Sequence, residues 1–254
     1  MTHRGIPIVS LNTPTSRTDG IHVQSIMPNE IKDIYIESVA IPPDLTLDDV
    51  IEDGHKAIYL FVRGQGEAVI NAGVYSLTSE TILLPNAARE LQISNNGTTT
   101  LHYLKILCHL SKKDRADLLE FPVEHTQQVY HARFEDCQGY TEPIKSASTV
   151  SRTILPNQII PRVAMGTVHT TGPDAVGAHK HPMLEQLFLG LSGNQCTVHA
   201  DGFTQAFVEY DLLHIPLGSL HGVEVADKHT MHYIWMDFFL HKDGEEWLKT
   251  HITE

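Results

Sequence analysis

Cysteine is scarce in this chain. The 254 residues include three, Cys108, Cys137 and Cys196, so no disulfide framework staples the fold, and the odd count favours a reducing compartment. Basic residues are also few. Eighteen Lys and Arg stand against 31 Asp and Glu, a net charge of -13. Nucleic-acid backbones and anionic membranes need a basic surface, so neither is an expected partner. A small anionic substrate stays open, because a bound metal reverses the local potential. Long apolar runs are missing as well. No stretch approaches ~18 uninterrupted apolar residues, which argues against a membrane-spanning helix. The start, Met1-Thr2-His3-Arg4-Gly5, leads to Pro7 and polar residues, unlike a secretory leader. A cytoplasmic address is expected.

What is present is a succession of short apolar runs split by Gly, Pro, Asn and Asp. Ile58-Tyr59-Leu60-Phe61-Val62 ends at Arg63-Gly64, and Leu187-Phe188-Leu189-Gly190-Leu191 ends at Ser192-Gly193. Runs of this length and composition read as strands, and many at short spacing suggest an all-β sandwich or barrel. Landmarks recur. Pro43-Asp44 matches Pro173-Asp174, Gly64 matches Gly193, Pro85 matches Pro216, and His102-Tyr103 matches His232-Tyr233, each about 130 residues on. A tandem duplication follows, with about eight strands per copy. The expected domains are 1–135 and 136–254, the boundary lying in the polar stretch 127–148. Residues 110–120 form the expected minor helix, with Ser111 as N-cap and Leu118-Leu119 as its apolar contact. Residues 1–20 read as a loose arm, or as a segment that crosses to the other copy or to a partner.

The second copy carries a metal-ligand pattern. His179 and His181 are two apart, so on a strand they share one face. Glu185 follows four later, and His221 lies just past Pro216-Leu217-Gly218. Three imidazoles and a carboxylate suit one divalent transition metal per chain (Mn, Fe, Ni, Co or Zn) better than Ca or Mg. On an octahedral ion they leave two positions for water, substrate or dioxygen. With 17 His in the chain, some spacings arise by chance. The joint pattern with its turn context is the stronger signal.

These residues resemble a known family. Gly177-Ala178-His179-Lys180-His181-Pro182-Met183-Leu184-Glu185 followed by Gly193 resembles the first cupin motif. Tyr210-Asp211 through Pro216, Gly218 and His221 resembles the second. With the duplication, the chain resembles a bicupin. That resemblance implies two tandem cupin β-barrels of jelly-roll type, metal ligands at His179, His181, Glu185 and His221, and a homodimer. Cupins include dioxygenases, decarboxylases, isomerases, lyases, hydrolases and binding proteins, so the fold does not select the reaction. The size and the single C-terminal site resemble the (S)-ureidoglycine aminohydrolase family of Mn-dependent bicupins. Its ligands, however, read Glu-x-His, then His and Gln.

The reading is therefore a metal-dependent enzyme acting on a small polar organic acid, ureide or sugar derivative. An iron-dependent dioxygenase and a non-catalytic binding barrel are the alternatives. Candidate acids and bases are His169, His199 and Asp237. Candidate substrate contacts are Gln186, Gln195 and Trp235, with Gln186 alternatively orienting a ligand and Trp235 alternatively a core residue. Alternation puts Gln195 with His199 on one face and Cys196 with Val198 on the other, and leaves open which face meets the cavity. In the first copy Val50, Glu52, Lys56 and Glu90 stand opposite the four ligands. Val50 cannot ligate and Lys56 is cationic, so this barrel is expected to lack the metal. A pocket in which Lys56 and Arg89 hold an anion is the alternative there.

Overall fold

The computed structural model describes residues 5–12, 20–242 and 244. The chain divides into two compact units. One comprises Thr13–Asp136 with Gln158–Pro161, the other Met1–Asn12 with Cys137–Asn157 and Arg162–Glu254. The chain opens with β1 (Ile8–Ser10), which belongs to the latter. The first unit then runs β2 (His22–Ile26), β3 (Ile34–Ile41), β4 (Thr46–Val50), β5 (His55–Arg63), β6 (Gln65–Ile70), β7 (Gly73–Thr78), β8 (Thr81–Leu84), β9 (Glu90–Ser94) and β10 (Leu101–His109). Two short helices, α1 (Lys112–Leu118) and α2 (Val123–Gln127), lead to β11 (Tyr130–Arg133). The second unit continues with β12 (Gly139–Tyr140), β13 (Val150–Leu155), β14 (Val163–Thr171), β15 (Asp174–His179), β16 (Leu184–Gly190), β17 (Gln195–Ala200), β18 (Phe203–Val208), β19 (Asp211–Ile215), β20 (His221–Val225) and β21 (Thr230–Phe239).

The pairing displays the duplication. The first unit has one sheet ordered β11-β8-β5-β10-β3-β2 and another ordered β4-β9-β6-β7. The second has β1-β19-β16-β21-β14-β13-β12 and β15-β20-β17-β18. From β2–β10 to β13–β21 the neighbours match strand for strand, all antiparallel. Alternation fills each interior. In β6, Gly66, Ala68 and Ile70 are buried while Gln65, Glu67 and Val69 are less so. In β17, Cys196, Val198 and Ala200 are buried and Gln195 is exposed. The cores gather residues from both sheets of a unit. Tyr59, Phe61, Leu77, Ile93 and Tyr103 fill the first. Phe188, Val198, Phe207, Leu213 and Tyr233 fill the second.

The edge beside β8 is taken by β11, whereas the matching edge beside β19 is taken by β1. An uncovered edge leaves backbone groups unpaired, and here a strand from the start of the chain covers it. Val9 stands opposite Leu212, and the amides of Leu11 and His214 bond the carbonyls of Tyr210 and Pro7. Of the arm expected at 1–20, residues 7–11 thus pair within the second unit, while 1–4 and 13–19 lie outside the described residues.

Helix α1 begins where its sequence indicates. Ser111 is its N-cap, in a reciprocal capping box with Asp114. Leu119, expected to make an apolar contact, is exposed instead. Among the described residues no helix is long and apolar enough to cross a membrane.

Candidate metal centre

The centre is built on two neighbouring strands. β15 pairs with β20, and His179 stands directly opposite His221. Facing residues in such a pair hold their Cβ atoms about 5 Å apart, which lets two imidazoles share one ion. A register shift between Val176 and His179 bends the end of β15, as bulges do. His181 follows, and its carbonyl accepts from the Gly218 amide at 3.1 Å. The ligand atoms of His179, His181 and His221 lie within 4.8 Å of one another. Among the described residues they are the one such group of three, and they could hold a metal ion.

The rings are set for that task. Nδ1 of His179 faces the Gly177 carbonyl at 2.7 Å, and Nδ1 of His221 faces the Ser219 carbonyl at 3.0 Å. A carbonyl only accepts, so each Nδ1 carries the hydrogen and each Nε2 keeps its lone pair. His221 Nε2 is buried without a hydrogen-bond partner. Burial, with His179 close by, pushes the His221 pKa down to about 3, so the ring stays neutral. A buried orphan acceptor costs about 1–3 kcal/mol, and a bound cation would satisfy it.

Glu185 does not join the three histidines. One Glu185 oxygen accepts from His214 Nε2 at 3.0 Å and from the Leu217 amide at 2.9 Å. The physical reason is strand alternation. On β16, Glu185 shares a face with Leu187, which stands opposite His214, while Gln186 and Phe188 face the cavity. The carboxylate thereby fastens the turn at 216–219 that delivers His221.

The histidines line a cavity of roughly 260 Å³, just below the usual range of ligand pockets, about 300–1,000 Å³. Its wall includes Gln186, Phe188, Tyr233, Trp235 and Asp237. Gln186 Nε2 donates to Asp237 Oδ1 at 2.6 Å. Burial pushes the Asp237 carboxyl up to about 7, against the lowering effect of Gln186. A carboxyl poised there can hold or release a proton near neutral pH. Of the expected residues, Asp237, Gln186 and Trp235 reach this cavity. His169, His199 and Gln195 are not among its lining residues. His169 is exposed, with its ring 4.5 Å from that of His232. His199 Nε2 meets Glu224 at 3.1 Å, and Gln195 is exposed. Cys196 and Val198, the other face of β17, point to the core.

Among the lining residues that escaped the sequence reading are Tyr140, Glu142 and Lys145. They lie in the segment read as a boundary. Lys145 Nζ contacts Glu142 at 2.7 Å and Ser151 Oγ at 2.8 Å. Burial lowers the Lys145 pKa, with Glu142 opposing, and burial raises that of Tyr140, with Glu142 reinforcing. No motif spacing marks these residues. They arrive because β12 pairs with β13 and Lys145 bridges to Val176 on β15.

The first unit repeats the frame without the ligands. Val50 stands opposite Glu90, as His179 does opposite His221, but Val50 is exposed. Lys56 donates to the carbonyls of Asn86 and Thr126 at 3.0 and 3.2 Å, and Arg89 pairs with Asp53. Both cations proposed for an anion pocket are thus engaged within the protein. Inside this barrel, Lys105 takes the place of Trp235. Its ammonium pairs with Asp49 at 2.6 Å, and Tyr59 donates to the other Asp49 oxygen at 2.9 Å.

Comparison with known proteins adds the fold. No family model matches the chain and no curated protein does. Solved structures do match. A cupin 2 conserved barrel domain protein from Leptotrichia buccalis aligns at 15% identity and TM-score 0.65, covering 94% of this chain and 98% of its own. Protein Ylba from E. coli aligns at 10% identity and TM-score 0.69, over 92% and 90%. An oxalate decarboxylase variant from Bacillus subtilis aligns at 9% identity and TM-score 0.65, over 98% and 82%. The chain has the bicupin fold.

Proposed function

We propose that this bicupin is a metal-dependent enzyme whose second barrel holds one divalent transition metal and acts on a small polar organic substrate. An organic acid, ureide or sugar derivative fits the cavity. The observation that carries the reading is the convergence of three imidazoles, one with an orphaned buried Nε2, on a cavity whose wall also holds Asp237. His179, His181 and His221 would hold the ion. When bound, it supplies Lewis-acid chemistry, polarising a substrate oxygen or a water. The chain's own groups do the rest. Asp237 exchanges a proton at its carboxyl oxygens near neutral pH. Gln186 holds that carboxyl in place. Lys145, Glu142 and Tyr140 offer donors and acceptors to the polar part of the substrate, and Trp235 and Phe188 exclude water beside them.

Asp237 favours an enzyme over a storage barrel, because a buried carboxyl costs stability and gains a purpose in proton transfer. The reading takes the chain as a homodimer, which light scattering of the purified protein checks. The functional test is metal analysis of protein purified without a His tag, followed by turnover assays on the metal-loaded form. Ammonia release from ureidoglycine tests the aminohydrolase branch and oxygen uptake the dioxygenase branch. An absence of bound transition metal would defeat the proposal.

A further inference from the structure

We propose that the fourth protein donor of the centre is the amide oxygen of Gln186, not the carboxylate of Glu185, and that the resulting uncharged donor set selects an anionic substrate. This rests on the metal reading above and specifies it. Two observations carry it. The first is the orphaned atom. Gln186 is 5% exposed, and its Oε1 is buried with no hydrogen-bond partner. Its Nε2 is committed to Asp237 at 2.6 Å. That contact spends an amide hydrogen on Asp237 Oδ1, an oxygen that accepts in the carboxylate and, with the proton on Oδ2, in the acid, and it leaves the amide oxygen for something else. An amide oxygen is an acceptor and a competent metal donor, and among the described residues no polar group satisfies it. Together with His221 Nε2, it is one of two buried unpaired atoms on the wall of one cavity.

The second observation is that Glu185 is occupied. One oxygen accepts from both His214 and the Leu217 amide. Reaching the histidines would require β16 to turn over, against the register that pairs Gln186 with Ile215 and Asp237. In a strand, a one-residue shift exchanges the two faces completely. A glutamate one position before the cavity face therefore cannot serve, and the next residue does.

Charge follows from donor type. Three neutral imidazoles and an amide leave both charges of a divalent ion uncompensated, whereas a carboxylate donor would cancel one. Lys145 is already balanced by Glu142 at 2.7 Å. Asp237 on the same wall removes one charge when ionised and none when protonated, so the loaded cavity keeps a net positive charge and fits a carboxylate or another oxyanion, despite the acidic chain as a whole.

The experiment titrates metal-free protein with Mn(II) and Co(II) by calorimetry, with the Co(II) visible spectrum as a second readout. Wild type and H221A come first. Strong binding by wild type and loss in H221A establish the centre itself, and no binding by wild type would overturn the underlying metal reading. Given binding, Gln186→Ala is expected to weaken affinity about tenfold to a hundredfold and to change the Co(II) spectrum. Glu185→Gln, which keeps an acceptor for Leu217, is expected to match wild type in both. Gln186→Glu is expected to keep the metal and to weaken binding of malonate, used as the carboxylate probe, about tenfold. The proposal is overturned if Glu185→Gln changes the spectrum and affinity while Gln186→Ala does not. It is also overturned if Gln186→Glu binds malonate as wild type does. Circular dichroism of each variant separates loss of a donor from loss of fold.

Discussion

Replacing Asp237 with Asn removes one titrating proton from the cavity wall, and the effect on stability can be worked from the structure. The carboxyl is buried and its pKa stands at about 7, against 3.8 ordinarily. Below about pH 4 it is protonated in both the folded and the unfolded chain and contributes nothing to pH dependence. Between about 4 and 7 the folded chain keeps the proton and the unfolded chain has released it. Stability therefore falls as pH rises, by up to about 1.4 kcal/mol per pH unit. The full penalty, present above pH 7, is on the order of 4 kcal/mol, and about 3 kcal/mol of it lies above pH 5. Asparagine keeps an oxygen for Gln186 Nε2 but carries no titrating proton. Urea unfolding of both proteins in EDTA, from pH 5 to pH 8, gives the difference directly. His221 works in the opposite sense. Its pKa is held down at about 3, so its contribution improves as pH rises toward its ordinary 6.5, but it is common to both proteins and cancels. Wild-type stability minus that of D237N should fall by a few kcal/mol across the range. A difference constant within about 0.5 kcal/mol, the usual limit of additivity, refutes the assignment of a shifted proton to Asp237.

Further outcomes are expected at three sites. His221→Ala should lose the metal, and wild type should release it on acidification because protons compete for the imidazoles; elemental analysis after dialysis across a pH series reads both. Glu185→Ala leaves His214 Nε2 and the Leu217 amide without their acceptor, which costs about 1–3 kcal/mol in chemical denaturation. In the first barrel, Lys105→Met strands Asp49, whose partners are Lys105 and Tyr59, at a cost of about 3–5 kcal/mol. The double variant K105M/D49L should be less destabilised than K105M, and equal losses would show that the pair is not coupled.

Much of the architecture was legible because β structure writes itself in short range. Period-two alternation, Gly and Pro punctuation and the recurrence of Pro85 at Pro216 and His102 at His232 foretold two copies of one strand plan. Ser111 announced its helix through a local capping box. The histidines were legible for a similar reason, since two lie two apart and the third follows a turn. Glu185 was expected beside the histidines, and in the structure it accepts from His214 and the Leu217 amide instead. Spacing alone does not reveal where β16 starts its alternation, and that choice decides whether Glu185 or Gln186 faces the cavity. His169, His199 and Gln195 lie off the lining of this cavity on the same ground, as side chains on the other face of their strands.

The sequence by itself determined the strand-rich fold class, the duplication, the loss of ligands from the first copy and the three histidines, because each depends on residue type and local spacing. Only the tertiary structure decided what surrounds them. Pairing across β15 and β20 set His179 against His221. Pairing across β16 and β21 set Gln186 against Asp237. The segment read as a boundary brought Tyr140, Glu142 and Lys145 to the same cavity. Those partners are distant along the chain, and strand register, which no local pattern encodes, brings them together.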